Sequence, residues 1–155
     1  MEKLADKTAV VTGAASGMGL AMARRFAREE MNVVLSDIDE SKLEAAVSEI
    51  RADGGNVQGV VTDVSLESDN VQLLDTSIDV FGTVDVVCLN AGVQGSIGRS
   101  WALSAEDYKW TMGILLDGVI HGVRTFVPHL VDQDAGHVVI TASIAGHISS
   151  PFGAP

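Results

Sequence analysis

The sequence has little cysteine and few basic residues, and each shortage argues against a class of protein. Its one cysteine, Cys88, cannot form an internal disulfide, and the apolar run around it predicts a small buried side chain rather than a nucleophile. Ten basic residues stand against 21 acidic ones, which gives a net charge of −11 with no cluster of Lys and Arg. This balance argues against a surface that binds nucleic acid or an anionic membrane.

Long apolar segments are scarce as well. The start, MEKLADKTAVV, lacks the apolar core of a signal peptide, and we find no stretch that approaches the apolar length of a membrane span. We therefore expect a cytoplasmic protein with no membrane association. We also expect no metal site. The four histidines share no metal-ligand spacing with acids or with the cysteine; they are His121, His129, His137 and His147.

Apolar runs and segments of helical periodicity alternate along the chain. The predicted strands are KTAVVTG, MNVVLSD, NVQGVVTDV, TVDVVCLNAG and GHVVITAS. A long helix is predicted over about 104–131, with one apolar face formed by Tyr108, Met112, Leu115, Val119, Val123, Phe126 and Leu130. Alternation predicts parallel βαβ units, and near-continuous apolar strands predict a sheet covered on both faces. We predict one α/β domain over 1–155, a Rossmann-like doubly wound parallel sheet truncated after the fifth strand.

A glycine-rich turn, VVTGAASGMG, joins the first strand to the first helix. Gly13, Gly17 and Gly19, with Ser16 and Met18 between them, permit a tight turn and a close approach of backbone to a pyrophosphate. The N-terminus of the following helix offers free N–H groups to such an anion. The alternative is a tight turn without a ligand. A P-loop is excluded, because no Gly-Lys-Ser/Thr follows.

An acidic residue, Asp37, ends the second strand and is followed by Ile38. A carboxylate at this position can accept hydrogen bonds from both hydroxyls of an adenosine ribose, and it would repel a 2′-phosphate. Ser16 rather than a basic residue precedes Gly17, so we expect no group that could hold a 2′-phosphate. The pattern predicts NAD rather than NADP, with a solvated strand-end acid as the alternative.

Two further strand ends fall at the same edge of the predicted sheet. Asp63, with Val64 beside it, could accept a hydrogen bond from the adenine amino group, and it could also cap the next helix. Asn90, Ala91 and Gly92 follow the fourth strand, where small residues let a cofactor cross the sheet edge closely.

Together these motifs resemble the short-chain dehydrogenase/reductase family, and the resemblance covers the whole chain in the family's order. It implies hydride transfer between a nicotinamide and an alcohol or ketone substrate. It also implies a tyrosine as general acid/base, a lysine that lowers the pKa of that tyrosine, and a serine bonded to the substrate oxygen. Ser143, in TASIAG, corresponds to this serine; its alternative is a hydroxyl bonded to local backbone. A homodimer or homotetramer is expected for the full-length protein.

The sequence departs from the family pattern in two places. Leu115 replaces the asparagine that helps to hold a relay water, and we expect packing on the apolar helix face to explain it. By the alignment, Tyr-x-x-x-Lys would follow Pro155, so we interpret the chain as the N-terminal part of a longer protein, whose fifth strand is otherwise an uncovered apolar edge. A positioned acid/base contributes about 10²–10⁴-fold, so residues 1–155 alone should bind NAD weakly and turn over negligibly.

Two other functions stay open. A non-catalytic dinucleotide-binding or sensor protein is favoured by Leu115. A methyltransferase also uses a glycine turn and an acid on the second strand, although the three-glycine spacing with NAG and TASIAG argues against it. For Trp101 and Trp110 we predict burial rather than a place in a substrate cleft.

Overall fold

Five parallel strands and the helices between them form the fold in the computed structural model, which describes residues 3–148. The end of the loop after Ser143, from 149 to 155, lies outside the described residues. The elements, in chain order, are β1 (Thr8–Thr12), α1 (Gly17–Arg28), β2 (Asn32–Asp37), α2 (Glu40–Ala52), β3 (Asn56–Val61), α3 (Glu67–Phe81), β4 (Val86–Leu89), α4 (Ala105–Met112), a π-helical turn (Gly113–Asp117), α5 (Gly118–Asp132), β5 (His137–Ile140) and a short 3₁₀ helix (Ile144–Gly146).

The strands lie in the order β3-β2-β1-β4-β5. At the centre, Val10 of β1 is in register with Val34 of β2 on one side and with Val87 of β4 on the other. The chain therefore winds outward in one direction from β1 and then in the other direction, which confirms the predicted doubly wound sheet. The point where the direction reverses is where such sheets bind ligands at their carboxyl edge.

Helices cover both faces of the sheet. Side chains from α1 and α2 pack on one face around Ala9, Val11 and Leu35, and those from α3 and α5 pack on the other around Val10 and Val87. All five residues of β1 are buried. Burying one valine side chain contributes about 1.5–3 kcal/mol, so the continuous apolar strands account for much of the driving force for this arrangement.

Local residues set the ends of two helices. Asp39 caps α2, because its carboxylate accepts a hydrogen bond from the backbone N–H of Lys42. Gly82 ends α3 in the left-handed conformation. At the start of α3, Leu66 occupies the cap position between Ser65 and Glu67 and makes no side-chain cap bond.

The long helix spans the predicted range but does not present one continuous apolar face. Phe126 and Leu130 are buried as predicted, whereas Met112 is exposed and Leu115 is 42% exposed. The π-helical turn over Gly113–Asp117 accounts for Leu115, because a wider turn rotates a residue within it away from the face that a regular α-helix would bury; Met112 precedes this turn, in α4. Packing on this face therefore does not explain Leu115, contrary to the expectation from sequence.

This helical run, Ala105–Asp132, is long and apolar enough to cross a membrane by length and composition. The expectation that no such stretch exists was therefore wrong. The buried face of α5 packs against the sheet through Phe126 and Leu130, as the core helix of an α/β domain does.

Several large apolar side chains are exposed on the described part of the molecule. Trp101 is 80% exposed and Trp110 is also exposed, so the predicted burial of both was wrong. Val139 and Ile140, in β5, are each about half exposed. Because β5 is an edge strand and, among the described residues, no α-helix follows it to cover the sheet, its side chains lack the packing that β1 receives.

Candidate functional site

A cavity of about 470 Å³ lies at the carboxyl edge of β1, β2, β3 and β4. All twelve residues that the sequence predicts to bind a cofactor line it, namely Gly13, Ser16, Gly17, Met18, Gly19, Asp37, Ile38, Asp63, Val64, Asn90, Ala91 and Gly92. Five further residues complete the lining: Asp39, Lys42, Thr62, Val93 and Ile114. The fold thus brings residues from five separate segments of the chain, four strand ends and the π-helical turn with Ile114, into one concave surface.

The glycine turn is packed so closely that side chains do not fit at two of its positions. A Cβ on Gly19 would lie 2.1 Å from the carbonyl oxygen of Gly13, and Gly13 has a φ of +65° with its own Cβ position 2.9 Å from Ala91 Cα. Ser16 precedes α1 without a side-chain cap bond, so the N–H groups of the first turn have no side-chain acceptor there. A bare helix N-terminus beside a tight glycine turn suits a phosphate group.

The carboxylate of Asp37 is held in place by backbone on both of its oxygens. Oδ2 accepts a hydrogen bond from Ala15 N at 3.0 Å, and Oδ1 accepts one from Asp39 N at 3.1 Å. Each carboxylate oxygen can accept two hydrogen bonds, so Asp37 keeps acceptor capacity for hydroxyls in the cavity. The first of these bonds also links the end of β2 to the glycine turn after β1.

A cation lies at the same end of the cavity, although the sequence predicted none there. Lys42 Nζ is 2.6 Å from Oδ2 of Asp39. This interaction, with hydrogen bonds from the Lys42 backbone and Ser41, lowers the pKa of Asp39 to about 2. The pKa of Lys42 is raised, first by Asp39 and to a smaller extent by Asp37. The sequence prediction did not include Lys42. This residue reaches the cavity because the first turn of α2 places it beside Asp39, the residue that caps the helix.

The turn after β3 is organised by its own polar groups. Asp63 Oδ1 accepts hydrogen bonds from the backbone N–H of Ser65 at 2.9 Å and from its hydroxyl at 2.7 Å. The side chain of Asn70, which is fully buried, donates to the carbonyl of Val64 at 3.0 Å. Asp63 therefore holds the turn before α3 through Ser65 and does not cap that helix, contrary to the alternative from sequence. Its contact with adenine stays a prediction.

Asn90 joins the carboxyl ends of three strands. Its Nδ2 donates to the carbonyl of Thr12 at 3.0 Å, and its Oδ1 accepts from the hydroxyl of Thr141 at 3.0 Å. The hydroxyl of Thr12 in turn accepts from the backbone N–H groups of Asn90 and Ala91, at 2.9 and 3.0 Å. These bonds fix the position of the turn over 90–92 against the glycine turn, and they set one wall of the cavity.

Ser143 lies outside the cavity lining, on an exposed segment after β5. Its Oγ accepts a hydrogen bond from Ala145 N at 3.1 Å and caps the short 3₁₀ helix. This is the bond to local backbone that the sequence offered as the alternative. The catalytic role of Ser143 stays a prediction.

Leu115 places an apolar side chain beside the turn over 90–92. Its Cδ2 lies 3.3 Å from the position that a Cβ on Gly92 would take. The neighbouring Ile114 lines the cavity itself. An aliphatic group therefore stands where the family usually has an amide side chain, and it offers no hydrogen bond to a water molecule.

The sequence prediction did not include the five further lining residues or Asn70, which supports the turn after β3, and three of these six show what signal was present. Lys42 had a usable signal, since a lysine three residues after a capping aspartate faces it across the first turn of a helix. Asn70 carried only a weak signal, a polar residue at an inward position of α3. Ile114 had none, because its orientation depends on the π-helical turn.

Comparison with known proteins identifies the family of this chain. The chain matches the family model described as short chain dehydrogenase over residues 7–155. It is 38% identical over 147 residues to 1-deoxy-11-beta-hydroxypentalenate dehydrogenase of Streptomyces avermitilis, covering 94% of this chain and 54% of that protein. It is 34% identical over 150 residues to glucose 1-dehydrogenase 2 of Bacillus subtilis, covering 96% of this chain and 58% of that protein. The chain spans about half the length of these relatives.

Solved structures agree with the sequence relatives. A short-chain dehydrogenase/reductase from Burkholderia phymatum, in complex with NAD, superposes with a TM-score of 0.96 at 44% identity, covering 99% of this chain and 54% of that one. An NAD⁺-bound xylitol dehydrogenase superposes with a TM-score of 0.93 at 30% identity, covering 98% of this chain and 58% of that one. The chain therefore belongs to the short-chain dehydrogenase/reductase family.

Proposed function

We propose that the intact natural protein that contains this chain is an NAD-dependent oxidoreductase acting on an alcohol or ketone. The observation that carries the proposal is the cavity at the carboxyl edge of the sheet, with the glycine turn and the fixed carboxylate of Asp37 in its lining. A small-molecule substrate, a cytoplasmic location, a homodimer or homotetramer, and the absence of membrane and nucleic-acid partners belong to the same proposal.

The lining residues fit the parts of NAD in order along the sheet edge. The turn over Gly13 to Gly19 and the N-terminus of α1 would hold the pyrophosphate, since no side chain intrudes there. Asp37 would accept from the adenosine ribose, and the turn after β3 at Asp63 and Val64 would border the adenine. The turn over 90–92 would support the nicotinamide half. When bound, NAD supplies the carbon that accepts the hydride.

The second requirement is a base that accepts the proton of the alcohol, and the family resemblance assigns this role to no residue within 1–155. In alcohol oxidation the carbon–hydrogen bond gives up its electron pair as hydride, and the hydroxyl proton must pass to a base. The family resemblance assigns that base to a tyrosine after Pro155 and the hydrogen bond to the substrate oxygen to Ser143. A positioned acid/base contributes about 10²–10⁴-fold, so we propose that residues 1–155 alone turn over negligibly.

The proposal is tested on the intact natural protein and on residues 1–155 in parallel. Quenching of intrinsic fluorescence by NADH measures binding, and absorbance at the nicotinamide band measures turnover with a panel of secondary alcohols and ketones. We expect NADH binding and turnover by the intact protein, and no turnover by residues 1–155. Ser143→Ala should reduce kcat in the intact protein, whereas Ser48→Ala, at an exposed serine of α2, should leave it unchanged.

Two results would contradict this function. If the intact protein binds neither NADH nor NADPH, the cavity is not a dinucleotide site. Binding of S-adenosylmethionine in their place would favour the methyltransferase.

A non-catalytic dinucleotide-binding protein is the second candidate. Two observations favour it: Leu115 stands beside Gly92 in place of an amide side chain, and the Ser143 hydroxyl is engaged by Ala145 N–H. Tight NADH binding by the intact protein with no turnover on the whole panel, even in Leu115→Asn, would support this candidate over the enzyme.

A further inference from the structure

An ion pair lies at the Asp37 end of the cavity and has no role in the function proposed above. Asp39 and Lys42 both line the cavity, next to Asp37 and Ile38. Among the lining residues that belong to the described part of the chain, Lys42 is the sole cation. Its position near Asp37 places it at the end of the cavity where the adenosine ribose would bind.

The two oxygens of the Asp39 carboxylate serve different partners. Oδ1 caps α2 by accepting from Lys42 N at 3.1 Å, and it also accepts from the Ser41 hydroxyl at 2.9 Å. Oδ2 accepts from Lys42 Nζ at 2.6 Å. The capping bond needs only a side-chain oxygen, whereas the bond to the ammonium group depends on negative charge. These two roles can therefore be separated by substitution.

The pair controls whether the lysine is available to an anion. A lysine ammonium group is a compact charge on a flexible stem, and it binds phosphate well when it is free to move. Here Asp39 neutralises that charge within the cavity. A phosphate on the 2′-oxygen would consequently meet the carboxylate of Asp37, the carboxylate of Asp39 and a cation that is already paired.

We propose that Asp39 is a specificity-determining residue for the cofactor: it occupies Lys42 and withholds this cation from a 2′-phosphate. Discrimination against NADP then depends on repulsion by Asp37 and also on the pair between Asp39 and Lys42. The inference rests on the proposed function, in that it assumes the cavity binds the adenosine half of a dinucleotide.

The alternative is a surface ion pair that only supports the start of α2. Both side chains keep solvent contact, and exposed pairs of this kind contribute little to the stability of a fold. A change in cofactor preference is therefore a readout that the merely structural role would not produce.

The test is a double-mutant cycle on the intact natural protein. The dissociation constants of NADH and NADPH are measured by fluorescence titration for the wild type, Asp39→Asn, Lys42→Met and the double variant. Asparagine keeps the oxygen that caps the helix, while it removes the charge that holds the lysine. The cycle is repeated in the Asp37→Asn background, where weaker repulsion brings NADPH binding into a measurable range.

We expect Asp39→Asn to raise the affinity for NADPH relative to NADH by roughly three- to tenfold, which is the effect of one unit charge a few ångströms away in water. The double variant should lose this gain, because the freed lysine is absent. Glu40→Gln is the charge-matched control: its carboxylate is adjacent in sequence but lines a different surface depression, and the affinity ratio should not change.

Two results would overturn the inference while NADH still binds. One is an unchanged affinity ratio in Asp39→Asn in both backgrounds. The other is an equal rise in Asp39→Asn and in the double variant, which would show that loss of negative charge suffices and that Lys42 has no part. If the wild type and all variants bind neither nucleotide, the proposed function fails and this inference fails with it.

Discussion

The two halves of the sheet differ in how completely their carboxyl ends are built. On the side of β1, β2 and β3, the loops after the strands are held by hydrogen bonds between and within them: Asp37 accepts from Ala15 in the glycine turn, and Asp63 accepts from Ser65 in its own turn. On the side of β5, the residues after the strand are exposed, and the strand itself leaves Val139 and Ile140 about half exposed.

This difference separates the two tasks of the site. The end of the cavity at Asp37 is held by hydrogen bonds among the described residues. Beside β5, the part of the chain that the structure describes leaves Val139 and Ile140 about half exposed. An exposed apolar edge favours association with another segment or another chain. We predict that substitutions on the side of β1, β2 and β3 lower the stability of residues 1–155 alone. Substitutions in β5 should lower stability only in the intact protein, where we expect additional chain to cover this strand.

The largest expected effect comes from the glycine turn. Gly19→Ala would place a Cβ 2.1 Å from the carbonyl oxygen of Gly13 and 2.8 Å from Asn90 Nδ2. Backbone cannot yield as a flexible side chain does, so we expect a loss of about 3 kcal/mol or more in the free energy of unfolding. Urea denaturation of the intact protein measures this loss, and NADH binding should disappear with it.

The matched control for this substitution lies on the other half of the molecule. Gly146→Ala, in the 3₁₀ helix after β5, meets no atom within 4 Å and requires no left-handed backbone. Its free energy of unfolding should stay within about 0.5 kcal/mol of the wild type. Equal losses for the two alanine variants would break the distinction between the halves.

The buried half of the fold was readable from sequence, and the reason is physical. Continuous apolar runs such as the one containing Val10 fit only a sheet covered on both faces, and a glycine turn followed by a strand-end acid fits a dinucleotide site. The prediction failed where the local helix geometry changed. Leu115 fits a period of 3.6 residues in sequence, but it lies within the π-helical turn between α4 and α5 and is partly exposed.

Side-chain pairing was the other limit. The sequence shows Asp39 three residues before Lys42, but it does not show that the pair faces the cavity rather than solvent. Likewise, the exposure of Trp101 and Trp110 depends on what covers the loop and helix that carry them. Such properties depend on contacts between distant segments, which periodicity does not encode.

The next effect compares one valine in each half of the sheet. Val87, in β4, is fully buried, so Val87→Ala should cost about 2 kcal/mol in the free energy of unfolding. Val139, in the neighbouring β5, is about half exposed, so Val139→Ala in residues 1–155 should cost less than about 0.5 kcal/mol. Urea denaturation of the two variants checks the difference.

The same pair sharpens the comparison in the intact natural protein. Its relatives are about twice as long as this chain, and we expect additional chain to cover β5. Val139→Ala should then cost at least about 1 kcal/mol, closer to the cost of Val87→Ala. An unchanged small cost in the intact protein would show that β5 remains an open edge.

A smaller effect is expected at the acidic end of the cavity. Asp37→Asn removes a charged acceptor for the ribose hydroxyls, and hydrogen bonds to charged groups contribute about 1.5–3 kcal/mol, so the dissociation constant of NADH should rise about tenfold or more. Ile38→Val is the control, because it alters the same cavity wall without changing its charge. If the NADH affinity of Asp37→Asn is unchanged, the adenosine ribose does not bind at Asp37.

The smallest effect is the pH dependence that arises from the cap of α2. Folding lowers the pKa of Asp39 to about 2, chiefly through the hydrogen bond from Lys42. The stability gained from the charged form is therefore present above pH about 4, the ordinary pKa of aspartate, and is lost as the pH falls towards 2. Wild type should exceed Asp39→Asn in thermal midpoint slightly at pH 5, and this difference should vanish near pH 2. High salt should reduce the difference at pH 5, because the ion pair is exposed. If the difference in thermal midpoint changes with neither pH nor salt, the geometry of the cap distinguishes aspartate from asparagine at this position, and the charge that holds Lys42 does not.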